Sequence, residues 1–240
     1  MEKLTVLSYL WYDPEGKKNH IYVYGREHVI LLYNQLKRHL TIPFEFVIAT
    51  DQPELLEGTG IRTIPLDKSK HVAATRYIKL QTFKPGAVDR IGKRILQLDL
   101  DTVVVANIND LVDRDEDLVL WRNPNYGGWK RARYNTSMLL YRADARTEFW
   151  TRFDPKTDPE RLKPHVGGTD QAFISDLASP TEAYWSDEDG VYGAGRLLDI
   201  VPGVQTVLPE NAKIVFFPGS REPGMKEIQD QHPWIVEHRC

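Results

Sequence analysis

Two carboxylates stand two residues apart in Asp99-Leu100-Asp101, within the apolar run Arg94 to Val105. On an extended segment residues i and i+2 share a face, so both can aim at one cation. Hard oxygen donors suit Mg²⁺ or Mn²⁺, and Mg²⁺ is commonly held by one or two carboxylates while substrate phosphates complete its shell. The triplet alone is weak. The chain has 19 Asp and contains four Asp-x-Asp triplets, against about 1.5 arising by chance. Asp113/Asp115, Asp115/Asp117 and Asp187/Asp189 are the others. Position sets Asp99/Asp101 apart: they follow a strand of buried type, and open α/β sheets bind ligands beyond the carboxyl ends of their strands. On composition alone, a strand that simply ends in turn-forming aspartates is an equal reading.

The elements that must position this pair follow from hydrophobic periodicity. Leu4 to Trp11 reads as a first strand, and Val29, Leu32, Leu36 and Leu40 recur at helical spacing through Glu27 to Leu40. FEFVIAT (Phe44 to Thr50) and IRTIPL (Ile61 to Leu66) are further strands; Thr75 to Phe83 is a helix closed by Lys84-Pro85-Gly86. RILQLDLDTVVV (Arg94 to Val105) reads as one continuous central strand. Beyond it come a short helix near Asn107 to Val112, strands at Leu118 to Asn123 and Asn135 to Ala143, a helix over Asp144 to Phe153, a helix over Asp170 to Leu177 capped by Thr169, and a late strand, Lys213 to Phe217. Strands alternating with amphipathic helices predict an α/β fold with a central, mostly parallel mixed sheet flanked by helices. No repeat or linker interrupts 1–240, so a single domain is expected.

Composition narrows the partners. The 240 residues are 41% hydrophobic and 27% charged, with 31 Lys+Arg against 34 Asp+Glu and a net charge of -3. That balance excludes disorder and argues against a nucleic-acid binder working through a basic face. No run approaches the ~20 apolar residues that span a bilayer, so no transmembrane segment is expected. Cys240 is the only cysteine; with no intrachain disulfide possible, a reducing, cytoplasmic setting is the natural expectation.

The run ILQLDLDTVVVANINDL resembles the D-x-D segment of GT-A-fold glycosyltransferases, of the retaining glycogenin- and galactosyltransferase-like group and its small bacterial relatives. Other pieces follow in that group's order. VLSYLWYD and RHLTIPFEFVIATD resemble the nucleotide-binding half, RYIKLQTF the Arg-containing helix before D-x-D, YNTSMLLYRA the Asn-Ser strand of the donor pocket, GGTDQAFIS the Asp-Gln donor-sugar element, and KIVFFPGSREP the late strand and loop. The resemblance implies a Rossmann-like nucleotide-sugar-binding half, 1–106, ending in D-x-D and a donor-sugar and acceptor half, 107–240. It implies metal-dependent transfer of a hexosyl group from a nucleotide sugar, with UDP the expected nucleotide, to a glycan, lipid-linked or other hydroxyl acceptor, with retention of configuration.

Residue by residue, the resemblance gives Asp99 and Asp101 the metal, Mn²⁺ or Mg²⁺, on the donor diphosphate. It gives Tyr9, Trp11 and Tyr12 the base and ribose, where core packing is an equal alternative, and Asp51 the base or ribose, where an Asx-turn before Pro53 competes. Arg76 or Lys79 contacts phosphate unless both lie on a solvated face. Asn135 and Ser137 would bind sugar hydroxyls from a shared strand face, and Asp170 and Gln171 would lie at the donor sugar near the reacting carbon. For Asp170 the alternative is favourable charge at a helix N-terminus. Gly167 and Gly168 allow a tight turn, and Lys130, Arg131 and Arg133 flank either an anionic substrate or solvent. Trp121, Trp129, Trp150, Trp185 and Trp234 are candidates for an acceptor platform or for core.

The late loop departs from the family. Where the family carries His-Gly and, further on, Lys-Pro, this chain has Pro218-Gly219 and Glu222-Pro223, leaving Arg221 as the nearby cation. An acidic Glu222 beside a diphosphate repels it unless turned away. Two other readings stay open: a degenerate GT-A domain that binds nucleotide sugar or glycan without turnover, and a haloacid-dehalogenase-like phosphatase with an aspartate nucleophile. The latter motif normally lies on a first strand, whereas here nearly 100 residues precede it.

Overall fold

In a computed structural model, the structure describes residues 3–11, 24–67, 75–123, 132–165, 168–197, 206–217 and 222–239. In chain order the strands are β1 (Leu4–Leu10), β2 (Phe44–Thr50), β3 (Arg62–Pro65), β4 (Arg94–Leu98), β5 (Val103–Val104), β6 (Leu118–Arg122), β7 (Tyr134–Arg142), β8 (Ala183–Trp185), β9 (Val191–Gly193) and β10 (Ile214–Phe216). The helices are α1 (Arg26–His39), α2 (Ala87–Arg90), α3 (Asn109–Val112), α4 (Glu148–Thr151), α5 (Asp158–Leu162), α6 (Asp170–Leu177), α7 (Ala194–Leu197), α8 (Lys226–Gln231) and α9 (Trp234–Arg239). The chain packs as two compact units, each assembled from segments distant in sequence: residues 1–11, 44–98 and 115–184 form the first, and 12–43, 99–114 and 185–240 the second.

The first unit carries a seven-stranded mixed sheet in the order β3-β2-β1-β4-β7-β6-β8. β3, β2, β1 and β4 run parallel, while β7 joins β4 and β6 antiparallel. Leu7, Val47, Ile95, Leu139 and Tyr141 project from one face into a core completed by Tyr77, Leu80, Phe83, Phe149 and Phe173. The last group comes from a 3₁₀ helix (Thr75–Phe83), α4 and α6. Continuous burial along β1 and β4 explains why their sequences read as unbroken apolar runs. Thr75–Phe83, expected as an α-helix, winds as 3₁₀ and ends before Gly86, whose φ of 83° needs a glycine.

The second unit holds a three-stranded sheet, β5-β10-β9, over a smaller core of Val103, Val105, Val215, Phe217, Trp234 and Ile235. With strands only two or three residues long, side chains supplement the ladder. The buried Gln35 of α1 accepts from the Val104 amide through Oε1 at 2.7 Å.

Arg94 to Val105 is not one strand: β4 stops at Leu98, residues 99–101 turn, and β5 enters the other sheet. Asp99 and Asp101 therefore lie on a turn, and the shared-face argument from an extended segment does not apply to them. The Thr102 amide and hydroxyl both donate to the Asp99 carbonyl, at 3.3 and 2.6 Å, closing that turn.

Candidate functional site

In the second unit, the Asp99–Asp101 turn is partly exposed, with Asp101 Oδ1 buried. Tyr24, just before α1, donates its hydroxyl to Glu222 Oε1 at 2.5 Å, and Glu222 is only 8% exposed. Glu222 is thus engaged inside this unit rather than presented as the bare charge its sequence position suggests. Burial pushes the Tyr24 phenol far above its usual pKa, and the charges of Asp101, Glu222 and Asp99 push it the same way.

The donor set of the turn is two hard carboxylates. Among the described residues, no three His, Cys, Asp or Glu side chains stand close enough together to hold a metal by themselves. That fits Mg²⁺ or Mn²⁺ completed by phosphate oxygens and water, and does not fit a closed protein-only cage.

His28 lies beside Tyr24, the two rings edge to face at 5.1 Å. Its Nδ1 accepts from the Gly25 amide at 3.0 Å at the start of α1. Burial lowers its pKa; Arg239 acts the same way and Glu27 opposes.

In the first unit, Asp170 opens α6 and faces Lys79 of the 3₁₀ helix, with Lys79 Nζ 3.5 Å from Asp170 Oδ2 and the side chains 13% and 8% exposed. Asp170 also benefits from its place in the first turn of a helix. Lys79 Nζ donates to the Thr136 carbonyl at 3.4 Å. That carbonyl is available because β6 and β7 slip register: Leu120 pairs with Leu139 but Trp121 with Asn135, leaving Thr136 to Met138 out of that ladder. Asn135, buried, accepts from the Ser137 amide at 2.8 Å, so its side chain holds the irregular backbone. The bulge re-aims this stretch, which simple alternation along a strand does not convey. Before α6, Gly168 has φ +66°, and a Cβ there would meet the Pro159 carbonyl oxygen at 2.8 Å.

Tyr9 is buried in the core, its hydroxyl donating to the Lys79 carbonyl at 3.4 Å. Its ring therefore lacks the open face that stacking on a base requires. Burial also raises its pKa. Trp11, Asp51, Ser137 and Gln171 are partly exposed, and Arg76 lies on the first turn of the 3₁₀ helix. The Trp11 indole N–H is buried without a hydrogen-bond acceptor among the described residues. Tyr12, Lys130, Arg131, Gly167, Pro218 and Arg221 lie outside the described residues. Trp121, Trp150, Trp185 and Trp234 are core, not platform, and Trp129 lies outside the described residues. The Lys79–Asp170 pairing and the Tyr24–Glu222 bond join residues about 90 and 200 positions apart; no periodicity signals either.

No protein-family model and no curated protein matches the sequence. Solved structures do. An active-site mutant of LgtC aligns over 93% of this chain and 90% of its own at 14% identity, TM-score 0.63. The galactosyltransferase LgtC in complex with donor and acceptor sugar analogues aligns over 98% and 95%, again at 14% identity, TM-score 0.62. The glycosyltransferase GlyE of Streptococcus pneumoniae TIGR4 aligns over 99% of this chain and 61% of its own at 14% identity, TM-score 0.61. The described residues contain no helix long and apolar enough to cross a membrane. Across nearly its whole length, the chain has the GT-A-like fold of these glycosyltransferases.

Proposed function

We propose that the protein is a metal-dependent glycosyltransferase that moves a hexosyl group from a nucleotide sugar, UDP-linked, to a hydroxyl of a glycan or lipid-linked acceptor with retention of configuration, acting in the cytoplasm. The observation carrying this reading is the two-carboxylate turn directly after central strand β4, in a fold shared with a galactosyltransferase solved with donor and acceptor sugar analogues.

Asp99 and Asp101 would hold Mn²⁺ or Mg²⁺, which would supply charge neutralisation for the departing diphosphate. Trp11 and Asp51 serve the base and ribose, Arg76 and Arg221 the phosphates. Asn135, Ser137 and Gln171 orient sugar hydroxyls. Asp170, fixed in place by Lys79, is the carboxylate assigned to the region of the reacting carbon. Acceleration then comes from positioning and from stabilising the leaving group more than from a general base.

The test is thermal stabilisation of the purified chain by UDP-, GDP-, CMP- and dTDP-sugars, with and without Mn²⁺. A ligand selective for the folded state raises the melting temperature with its concentration. A metal-dependent rise with UDP-sugars is expected, and no rise with any donor would overturn the proposal.

A further inference from the structure

With four tryptophans buried, the exposed aromatic among the described residues of the first unit's sheet is Tyr184 on edge strand β8, 40% accessible. The Arg122 guanidinium lies over its ring, Cζ 4.8 Å from the centroid, and Nη1 donates to the Tyr184 hydroxyl at 2.9 Å. This cation is held in one orientation by an aromatic surface rather than by an acid. Arg62, Arg142, Arg146 and Arg161 are each paired with carboxylates, at N···O separations of 2.6 to 3.8 Å. Arg122 has no carboxylate partner among the described residues. Glu182, two positions before Tyr184, is held by Arg146 Nη1 at 2.9 Å. A guanidinium offers five donors, of which the phenol takes one.

The ladder fixes where this pair stands. Arg122 is opposite Tyr134, one step from the Trp121–Asn135 pair. Arg133, whose carbonyl accepts from the Asn123 amide at 2.9 Å, adds a second positive residue at the same strand ends. An uncompensated, pre-oriented guanidinium suits a planar or tetrahedral oxyanion, and an open tyrosine face suits the C–H face of a sugar ring.

We propose that Arg122 and Tyr184 form an acceptor subsite for a sugar bearing an anionic group, a phosphate ester or a carboxylate. The inference rests on the glycosyltransferase reading and names the chemistry of its acceptor.

The experiment titrates the full chain, and its Arg122→Ala, Arg122→Lys and Tyr184→Ala variants, with glucose, glucuronate and glucose 6-phosphate at low salt, following binding by saturation-transfer NMR. The charged sugars are expected to bind about tenfold or more tightly than glucose, the worth of one charge-assisted hydrogen bond. Arg122→Ala should bring them down to the level of glucose, Arg122→Lys should keep part of the preference, and Tyr184→Ala should weaken all three. Tighter binding of glucose 6-phosphate than glucuronate would assign a phosphorylated acceptor, and the reverse a uronic acid.

Equal binding of charged and neutral sugars by the unmodified chain, or a preference that survives Arg122→Ala, would overturn the subsite. Melting with UDP-sugar and Mn²⁺ on the same samples separates the two readings. A donor response without anion preference removes the subsite alone; anion preference without a donor response removes the transferase reading.

Discussion

The two compact units hold their acidic groups in opposite ways. In the first, Asp170 is met by the protein's own cation, Lys79, in a partly buried setting behind a helix N-terminus, and a bulged strand lends Lys79 a carbonyl. In the second, Asp99 and Asp101 occupy a turn held through its backbone by Thr102, while Glu222 is engaged with Tyr24, whose pKa is raised first by burial and then by the nearby carboxylates. A carboxylate balanced by lysine is a positioned group. Carboxylates on a turn held through its backbone offer hard oxygen donors of the kind an added Mg²⁺ or Mn²⁺ takes. If that contrast holds, removing charge should have opposite signatures in the two units.

The largest effect is expected from Asp101→Ala: metal-dependent transfer should fall at least about a thousandfold, with loss of Mn²⁺-dependent donor stabilisation. Because the residue lies on a partly exposed turn, stability without ligand should change by less than ~1 kcal/mol. A near-normal rate would sink the assignment. Asp170→Asn should lower turnover about a hundredfold yet keep the Mn²⁺-dependent shift. If both variants lose that shift equally, the distinction between a positioned group and a metal group fails.

Backbone comes next. Gly168→Ala places a Cβ against the Pro159 carbonyl at φ +66° and should cost about 1–3 kcal/mol in urea unfolding. An unchanged midpoint would show that the turn before α6 relaxes freely. Tyr24→Phe removes one hydrogen bond from buried Glu222 and should cost about 1 kcal/mol by the same measurement. A larger loss would mark Glu222 as a principal anchor of the second unit.

Much of the first unit was legible in the sequence. The bounds of β2 and α6 coincide with FEFVIAT and DQAFISDL because each is a single periodic run flanked by turn chemistry. The second unit was harder to read. Val103 and Val104 continue the apolar character of β4, so composition cannot reveal that the chain changes sheets between them; the change depends on β10, more than 100 residues later. The Asp99/Asp101 pair is marked by its position after a buried strand, whereas the shared face that an extended segment would give it is absent on a turn. Glu222 carried the opposite lesson. Its charge was legible, but the phenol that receives it lies nearly 200 residues away. The tryptophans were ambiguous between platform and core, and burial rather than residue type decides between them.

The smallest expected effect also separates the units, through pH. His28, His39 and His238 all belong to the second unit, and burial lowers the pKa of each from the ordinary 6.5, assisted by Arg239 at His28 and by Arg38 at the other two. His39 and His238 lie across α1 and α9 with ring centroids 6.3 Å apart. A histidine whose folded-state pKa is depressed binds fewer protons folded than unfolded. Its contribution is therefore complete above the unfolded value and is lost as pH falls through the folded one. Acidification from about pH 7.5 to about pH 5 should accordingly speed hydrogen exchange in α1 and α9 more than in β2 and β4. His39→Gln combined with His238→Gln should flatten that response. Uniform acceleration across both units would instead place the acid sensitivity in the carboxylates, and the histidines would no longer distinguish one unit from the other.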